Sequence, residues 1–426
     1  MVKEIRENTL YFDGCNTVEL AKKYGTPLYV HSETDMRGRF AELRRDFTER
    51  YPRTRVAYAA KAFFPLAMAR LVKEEAMCVD VVSGGELYTA LRAGIPTESI
   101  EFNGNNKQPA EIEMAVEHEI GRIIVDGLDE LPLIEQVCKE KGKKMRVLIR
   151  VTPGVKSSSH DYIVTGKKDS KFGIPLDDDV ILPQIKAAIE SPYVDFYGIH
   201  FHVGSQLLDN GSHLQALDII LELADKIRAE FQHELKEINL GGGFGVTYVD
   251  EERKPYSYFL DPMMERIEAY YKQHGTERPN VVIEPGRSIV GEGGITLYTI
   301  GTQKEIKGIR KYVSVDGGMT DNIRPALYQA AYSGVIANKA AEPKTQVATI
   351  CGKCCESGDI LIHDQKMAEP ERGDIFAVFT TGAYGYSMAS NYNKNPVPAV
   401  VFVREGKDRL VVKAQSYEDM LRNELE

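Results

Sequence analysis

EINLGGGFG, residues 237–245, sets a three- or four-residue apolar run directly against a glycine-rich turn. The same phrase, a short β-branched run ending in polar or small residues, recurs along the chain. It begins near Val56 (VAYAA), Cys78 (CVDVV), Ile100 (IEFNG), Arg122 (RIIVD), Arg146 (RVLIRV), Val194 (VDFYGIHFHV) and Asn280 (NVVIE). With Glu237 that makes eight runs, the first five spaced roughly 22–24 residues apart. Helix-like stretches fall between them, among them Pro65–Glu75, Gly85–Ala93 and Pro109–Glu117. Eight apolar strands alternating with helices spell a parallel (β/α)8, TIM-like barrel, expected over 34–281. An open doubly wound sheet has the same alternation and stays open at this point.

After Glu284 the texture changes to short alternating runs: ITLYTIGTQKEI, KYVSVDGG, TQVATICG, DIFAVFTTG, AVVFVREG and RLVVKAQ. Gly, Asp and Pro punctuate them, so residues 282–426 read as a mostly antiparallel β domain. The early TPLYVHS run precedes the barrel and could join that sheet, giving a β domain built from 1–33 and 282–426.

The formal charge of −10 disfavours a general nucleic-acid surface, which needs a basic face. No apolar run is long enough to span a bilayer, and the opening MVKEIRENTL has no apolar signal core. A cytoplasmic protein is therefore expected. Six cysteines in 426 residues do not suggest a disulfide framework.

Several side chains at the ends of these runs can carry chemistry. Lys61, in VAYAAKAFF, has apolar neighbours on both sides; if buried, its amine would be desolvated and suited to forming an imine. A lysine reaching out to solvent is the plainer alternative. Gly241, Gly242, Gly243 and Gly245 let backbone N–H groups approach a phosphate, although a tight turn would explain them too. The turn matches neither a Walker loop nor a GxGxxG fingerprint. Glu284, followed by Pro285, Gly286 and Arg287, can pair with a protonated pyridine nitrogen, or simply with Arg287. Arg287 can grip a phosphate or carboxylate. His200 and His202 share a strand face; they could be a metal pair, or His202 could lie flat on an aromatic cofactor with Ser205 donating to its phosphate. No further ligand set accompanies the histidines, so no metal is expected. Cys351, Cys354 and Cys355 lack a second Cys-x-x-Cys, which leaves a thiol acid beside Glu356 or structural cysteines.

Together the segments YAAKA, DVVSGGEL, NGNNK, HDYIVTGKKDSKFGI, HFHVGSQ, GGGFG, EPGR, DGGMTDNIRPALY, CCESGD and GAYGYSMASNYN resemble the diaminopimelate decarboxylases, of the alanine-racemase-like fold type shared with ornithine decarboxylases. The match runs nearly end to end, and TGKKDSKFG with CES is similar to the diaminopimelate branch in particular. The resemblance implies pyridoxal 5'-phosphate and decarboxylation of meso-2,6-diaminopimelate to L-lysine, the last step of lysine biosynthesis. It also implies a homodimer with active sites shared between subunits. By the same resemblance Lys61 would be the Schiff-base lysine and Asp80 would lie near the cofactor. His202 would stack on the ring, and Glu284 would face its nitrogen. Ser205, Gly241, Gly242, Gly243, Pro285, Gly286, Arg287 and Tyr384 would surround the phosphate or its neighbourhood. Arg287, Arg324, Tyr328 and Tyr384 would meet the substrate's distal carboxylate end, Glu356 its distal amine, and Cys355 would be the proton donor from the partner subunit. The chain departs from the family at Lys353, where proline usually precedes the cysteine segment, and at Asn395-Pro396 and Val400. Other readings are a decarboxylase of D-lysine, D-ornithine or a polyamine precursor, and a non-catalytic pyridoxal-phosphate-binding protein. A diamino monoacid has no use for Arg324 and Glu356 together, and a carrier has none for Arg324, Tyr328 and Cys355.

Overall fold

The computed structural model describes residues 2–155 and 169–425; most of the HDYIVTGKKDSKFGI segment therefore lies outside the described residues. The chain divides into two compact units, one of Phe40–Gly245 and Arg253–Gly286, the other of Met1–Arg39, Val246–Glu252 and Arg287–Glu426.

The first unit is a closed barrel of eight parallel strands. In order they are Thr54–Ala59, Cys78–Val81, Ile100–Phe102, Arg122–Val125, Met145–Thr152, Val194–His200, Glu237–Asn239 and Asn280–Ile283. The ring closes where Val281 of the eighth strand registers with Thr54 of the first. Helices such as Leu66–Glu74, Gly84–Ala93 and Pro109–Glu117 follow the early strands. The strands read as nearly unbroken apolar runs because both faces are covered: Val56, Val79, Val81, Ile123, Val147, Ile149, Ile238 and Val282 are all buried.

The barrel also encloses charge. Arg122 Nη1 pairs with Glu101 at 3.3 Å and Arg122 Nε with Glu237 at 3.2 Å. The fourth and seventh strands are not neighbours, so the Arg122–Glu237 pair crosses the barrel interior. Arg55 completes it at 2.8 Å from Glu237. Three buried charges tolerate this setting only because each is paired.

In the second unit a thirteen-residue strand, Gly294–Ile306, is the spine. Its first half pairs antiparallel with Leu28–Ser32 and Ile375–Phe379, its second half with Arg310–Val315. The early TPLYVHS run thus joins the late sheet. Alternation along these strands feeds two cores. Leu28, Val30, Ile295, Leu297, Ala377, Val401 and Val403 fill one, and Tyr298, Ile300, Val313, Phe376 and Val378 the other. The sheet is mostly antiparallel, with two parallel pairings, Leu28–Ser32 with Ala399–Arg404 and Arg310–Val315 with Gln346–Cys351. Within this sheet Gly334–Ile336 and Ile360–Met367 have no counterpart in the sequence reading, and neither does the separate three-stranded sheet of Lys3–Arg6, Thr9–Phe12 and Cys15–Asn16.

The division differs from the expected 34–281. Glu284, Pro285 and Gly286 stay with the barrel because they are bonded into it: Glu284 N–H donates to Gly241 O at 2.8 Å, and Pro285 O accepts from Ala59 N–H at 3.1 Å. Residues Val246–Glu252 belong to the second unit because Val246 and Tyr248 sit in its core, and Thr380 and Ser333 donate to their segment's carbonyls.

Candidate active site

Within the barrel, the chemistry-bearing residues gather at the C-terminal strand ends. Lys61 lies in a single 3-10 turn, Ala60–Ala62, directly after the first strand. Of the two readings of Lys61, the plainer one holds: Lys61 is exposed while Ala60, Ala62 and Phe63 around it are buried. The charge of Lys61 nevertheless acts on the strand-end pocket, at Glu284, Asp80 and His202. Gly286 packs against this turn, where a Cβ would stand 3.1 Å from Ala62 Cβ.

Glu284 ends the eighth strand and is buried. Asn103 Nδ2 donates to its Oε1 at 3.0 Å, Asn239 Nδ2 to the same oxygen at 2.8 Å, and His200 Nε2 lies 3.1 Å from Oε2. Burial works to raise its pKa, but His200, by charge and hydrogen bond, then Lys61 and His202, hold the carboxyl well below the usual range. Asp80, fully buried, behaves in the opposite way. Burial and then the Glu284 charge push its pKa well up, against Lys61 and the Asn103 hydrogen bond of 2.7 Å. Two carboxyls a strand or two apart are thus driven to different protonation states.

Gly241, Gly242 and Gly243 follow the seventh strand. A Cβ at Gly241 would lie 2.5 Å from Phe201 O, at Gly242 2.1 Å from Glu284 O, and at Gly243 2.5 Å from Gly204 O. Gly241 and Gly243 also have positive φ, 67° and 103°. The turn is laced to the loop carrying Gly204 and Ser205, since Leu207 N–H donates to Gly243 O at 2.8 Å. His202 Nδ1 accepts from Gly242 N–H at 3.2 Å. Burial first, then Lys61 and Arg150, keep the His202 imidazole neutral. Among the described residues no group of three His, Cys, Asp or Glu could hold a metal, and His200 is engaged with Glu284.

The second unit holds another constellation. Tyr248 Oη accepts from Nη1 of both Arg287 and Arg324, the latter at 2.9 Å. Arg324 Nη1 also donates to Tyr332 Oη at 2.6 Å. Tyr384 lies under the Arg287 guanidinium at 4.9 Å, and Tyr328 is 6.0 Å from that of Arg324. Burial opposes the Arg324 charge, but Tyr332 and Tyr248 more than offset it. Cys355 and Glu356 sit on an exposed turn, with Cys355 N–H donating to Asn393 Oδ1 at 2.7 Å. Among the described residues they make no bond to Arg324 or Tyr328. Cys354 is the more buried thiol, pushed up to about 11 by burial and then Asp359.

Sequence reasoning passed over Asn103, Asn239, Tyr248 and Tyr332, and weighed His200 as half of a metal pair. Asn103 opens the quoted NGNNK and Asn239 stands two residues before the glycine turn, so adjacency to a motif was the available signal. Nothing local marks Tyr248 or Tyr332.

The model of the pyridoxal-dependent decarboxylase family, its pyridoxal-binding domain, matches residues 37–291. The chain is 47% identical to diaminopimelate decarboxylase of Bacillus subtilis over 417 residues, 98% of this chain and 95% of the relative. It is 48% identical to that of Bacillus methanolicus over 405 residues, 95% and 94% of the two chains. A crystal structure of diaminopimelate decarboxylase from M. jannaschii with L-lysine superposes with a TM-score of 0.93 at 35% identity, covering 100% and 98%. The Helicobacter pylori counterpart gives 0.87 at 31%, covering 96% and 98%.

Proposed function

The chain belongs to the diaminopimelate decarboxylases, within the pyridoxal-dependent decarboxylases, and on that premise we propose how its own residues carry the reaction. It is a carboxy-lyase that uses pyridoxal phosphate and converts diaminopimelate to lysine with loss of carbon dioxide.

The strand-end residues fit that cofactor on two features of this chain. Asp80 Oδ2 and Asn103 Oδ1 are buried with no hydrogen-bond partner among the described residues, so the pocket holds two buried polar atoms that call for a polar group. The glycine turn presents bare backbone where no side chain could stand, as a phosphate requires. When bound, the cofactor supplies an electron-withdrawing ring that takes up the electron pair left on the α-carbon as carbon dioxide departs.

Lys61 Nζ anchors the cofactor. Glu284, ionised, holds a proton on the ring nitrogen, and Asp80 supports the same edge. Neutral His202 lies against the ring face. Ser205 through its hydroxyl and Gly243 through its N–H would hold the phosphate, with Gly241, Gly242, Pro285 and Gly286 shaping the turn, and Arg287 and Tyr384 are assigned to the same group. Arg287, Arg324, Tyr328 and Tyr384 bind the distal carboxylate end of the substrate, and Glu356 binds its distal amine. Cys355 Sγ delivers the proton to the α-carbon. The exposed position of Cys355 and Glu356 suits action on a partner subunit's substrate, and we place the chain in a homodimer. Six free thiols suit a reducing compartment, and a cytoplasmic location follows from the same proposal.

One observation carries this reading: a buried carboxylate, Glu284, at a strand end, hydrogen-bonded by two amides and His200 and held ionised by His200, Lys61 and His202. Glu284→Gln is expected to cut decarboxylation of diaminopimelate by about a hundredfold or more, the scale of one preorganised charge. An undiminished rate would remove Glu284 from this role. Efficient turnover of D-lysine in place of diaminopimelate would count against the distal-end assignments.

A further inference from the structure

Asn239 occupies the last position of the seventh strand, fully buried, two residues before Gly241. Its side chain makes contacts in two directions. Nδ2 donates to Glu284 Oε1 at 2.8 Å and to Glu101 Oε1 at 3.3 Å. Oδ1 accepts from Gly241 N–H at 2.9 Å. The chemistry fixes this orientation: two ionisable carboxyls can take a hydrogen bond and a backbone N–H can only give one. The strand itself is anchored through Glu237, which pairs with Arg122 and Arg55, and Arg122 also pairs with Glu101.

We infer that Asn239 is a positioning residue that sets, with one amide, both the carboxylate facing the ring nitrogen and the glycine turn that receives the phosphate. The inference rests on the roles proposed for Glu284 and Gly241–Gly243. An amide is required because the position needs a donor on one side and an acceptor on the other. Aspartate keeps the acceptor for Gly241 and loses the donor to Glu284. Alanine loses both. The two arms can therefore be separated by substitution.

The groups that face Glu284 in this pocket are Asp80, Glu101, His200, His202 and Lys61. A new carboxyl at 239 joins them. Taking a proton at acid pH makes it a donor again, so a donor role leaves its mark on the pH profile.

The test compares the parent holoenzyme with Asn239→Asp, Asn239→Ala and Glu284→Gln. Two quantities are read: kcat on diaminopimelate across pH, and the rate at which each holoenzyme loses pyridoxal phosphate on dilution. Asn239→Asp is expected to retain cofactor at nearly the parent rate. Burial beside Glu284 and Glu101 favours the protonated form of the new carboxyl, so kcat should fall about ten- to a hundredfold at the alkaline end of the profile, where it ionises, the scale of a lost hydrogen bond to a charged group. That deficit should narrow as pH falls. Asn239→Ala should show the drop in kcat with no recovery at acid pH, and should lose cofactor at least about tenfold faster. The inference is overturned if Asn239→Asp and Asn239→Ala behave alike in both readouts, or if Asn239→Ala changes neither. If Glu284→Gln lowers kcat while the Asn239 variants do not, the inference fails alone. If Glu284→Gln leaves kcat untouched, the reading beneath it fails first.

Discussion

Asn103, Asn239 and His200 converge on Glu284, and His200, with Lys61 and His202, keeps a charge there that burial alone would remove. Asp80, on the same Asn103 amide, is pushed the other way. The contrast depends on which donors each carboxyl receives, and no local sequence pattern reports that. Asp321 offers a separable test. Burial raises its pKa to about 7, against hydrogen bonds from Tyr298, Thr320 and Gly318. A raised folded-state value means stability is fully present below the unfolded value near 4 and is lost as pH rises through 7. The melting temperature of the second unit should therefore fall between those limits, and Asp321→Asn should flatten the slope. A slope unchanged by the substitution would exclude Asp321 as its source. The thiols give a second residue-scale prediction. Cys355 is exposed, whereas Cys15, Cys78 and Cys138 are each pushed up to about 11 by burial. Limiting iodoacetamide at neutral pH should label Cys355 ahead of those three, read by peptide mass mapping. The side chains legible beforehand were those at motif ends: Lys61, Glu284 and the glycines. Lys61 lies at a strand end as read, and its exposure matches the plainer of the two readings, although flanking alanines by themselves do not say which way a turn points.

At the scale of elements the barrel strands were readable because burial on both faces leaves unbroken β-branched runs. The second unit was harder. Ile360–Met367 carries consecutive buried Leu361 and Ile362 and then HDQK, with Asp364 at φ 50° and a shifted register against its neighbour. A bulge breaks the two-residue period that marks a strand. Gly334–Ile336 is too short to show a period at all. Strand contact also sets where a side chain is forbidden. A Cβ at Gly198 would stand 1.8 Å from Glu237 O, between the sixth and seventh strands. Gly198→Ala should therefore force these strands apart and cost several kcal/mol, roughly the scale of severe overpacking or more. A melting temperature within a degree or two of the parent would contradict that register.

Over the whole molecule, each unit has its own core, and the N-terminal strand is tied into the C-terminal sheet at Leu28–Ser32. That return was legible in TPLYVHS, a strand ahead of the barrel that could join the later sheet. The proposed homodimer makes a prediction at this scale. Lys61→Ala and Cys355→Ala chains, each inactive, should recover activity when mixed and allowed to exchange. Random pairing puts half the chains in mixed dimers with one intact site, so about a quarter of parental activity is expected. No recovery after demonstrated exchange would contradict a shared site. Every other assignment at the barrel mouth depends on Lys61 anchoring the cofactor, and reduction of the purified holoenzyme with borohydride followed by peptide mapping checks that anchor. The pyridoxyl mass should appear on the peptide containing Lys61 and on no other; a pyridoxyl group on a different lysine, with Lys61 unmodified, would contradict it.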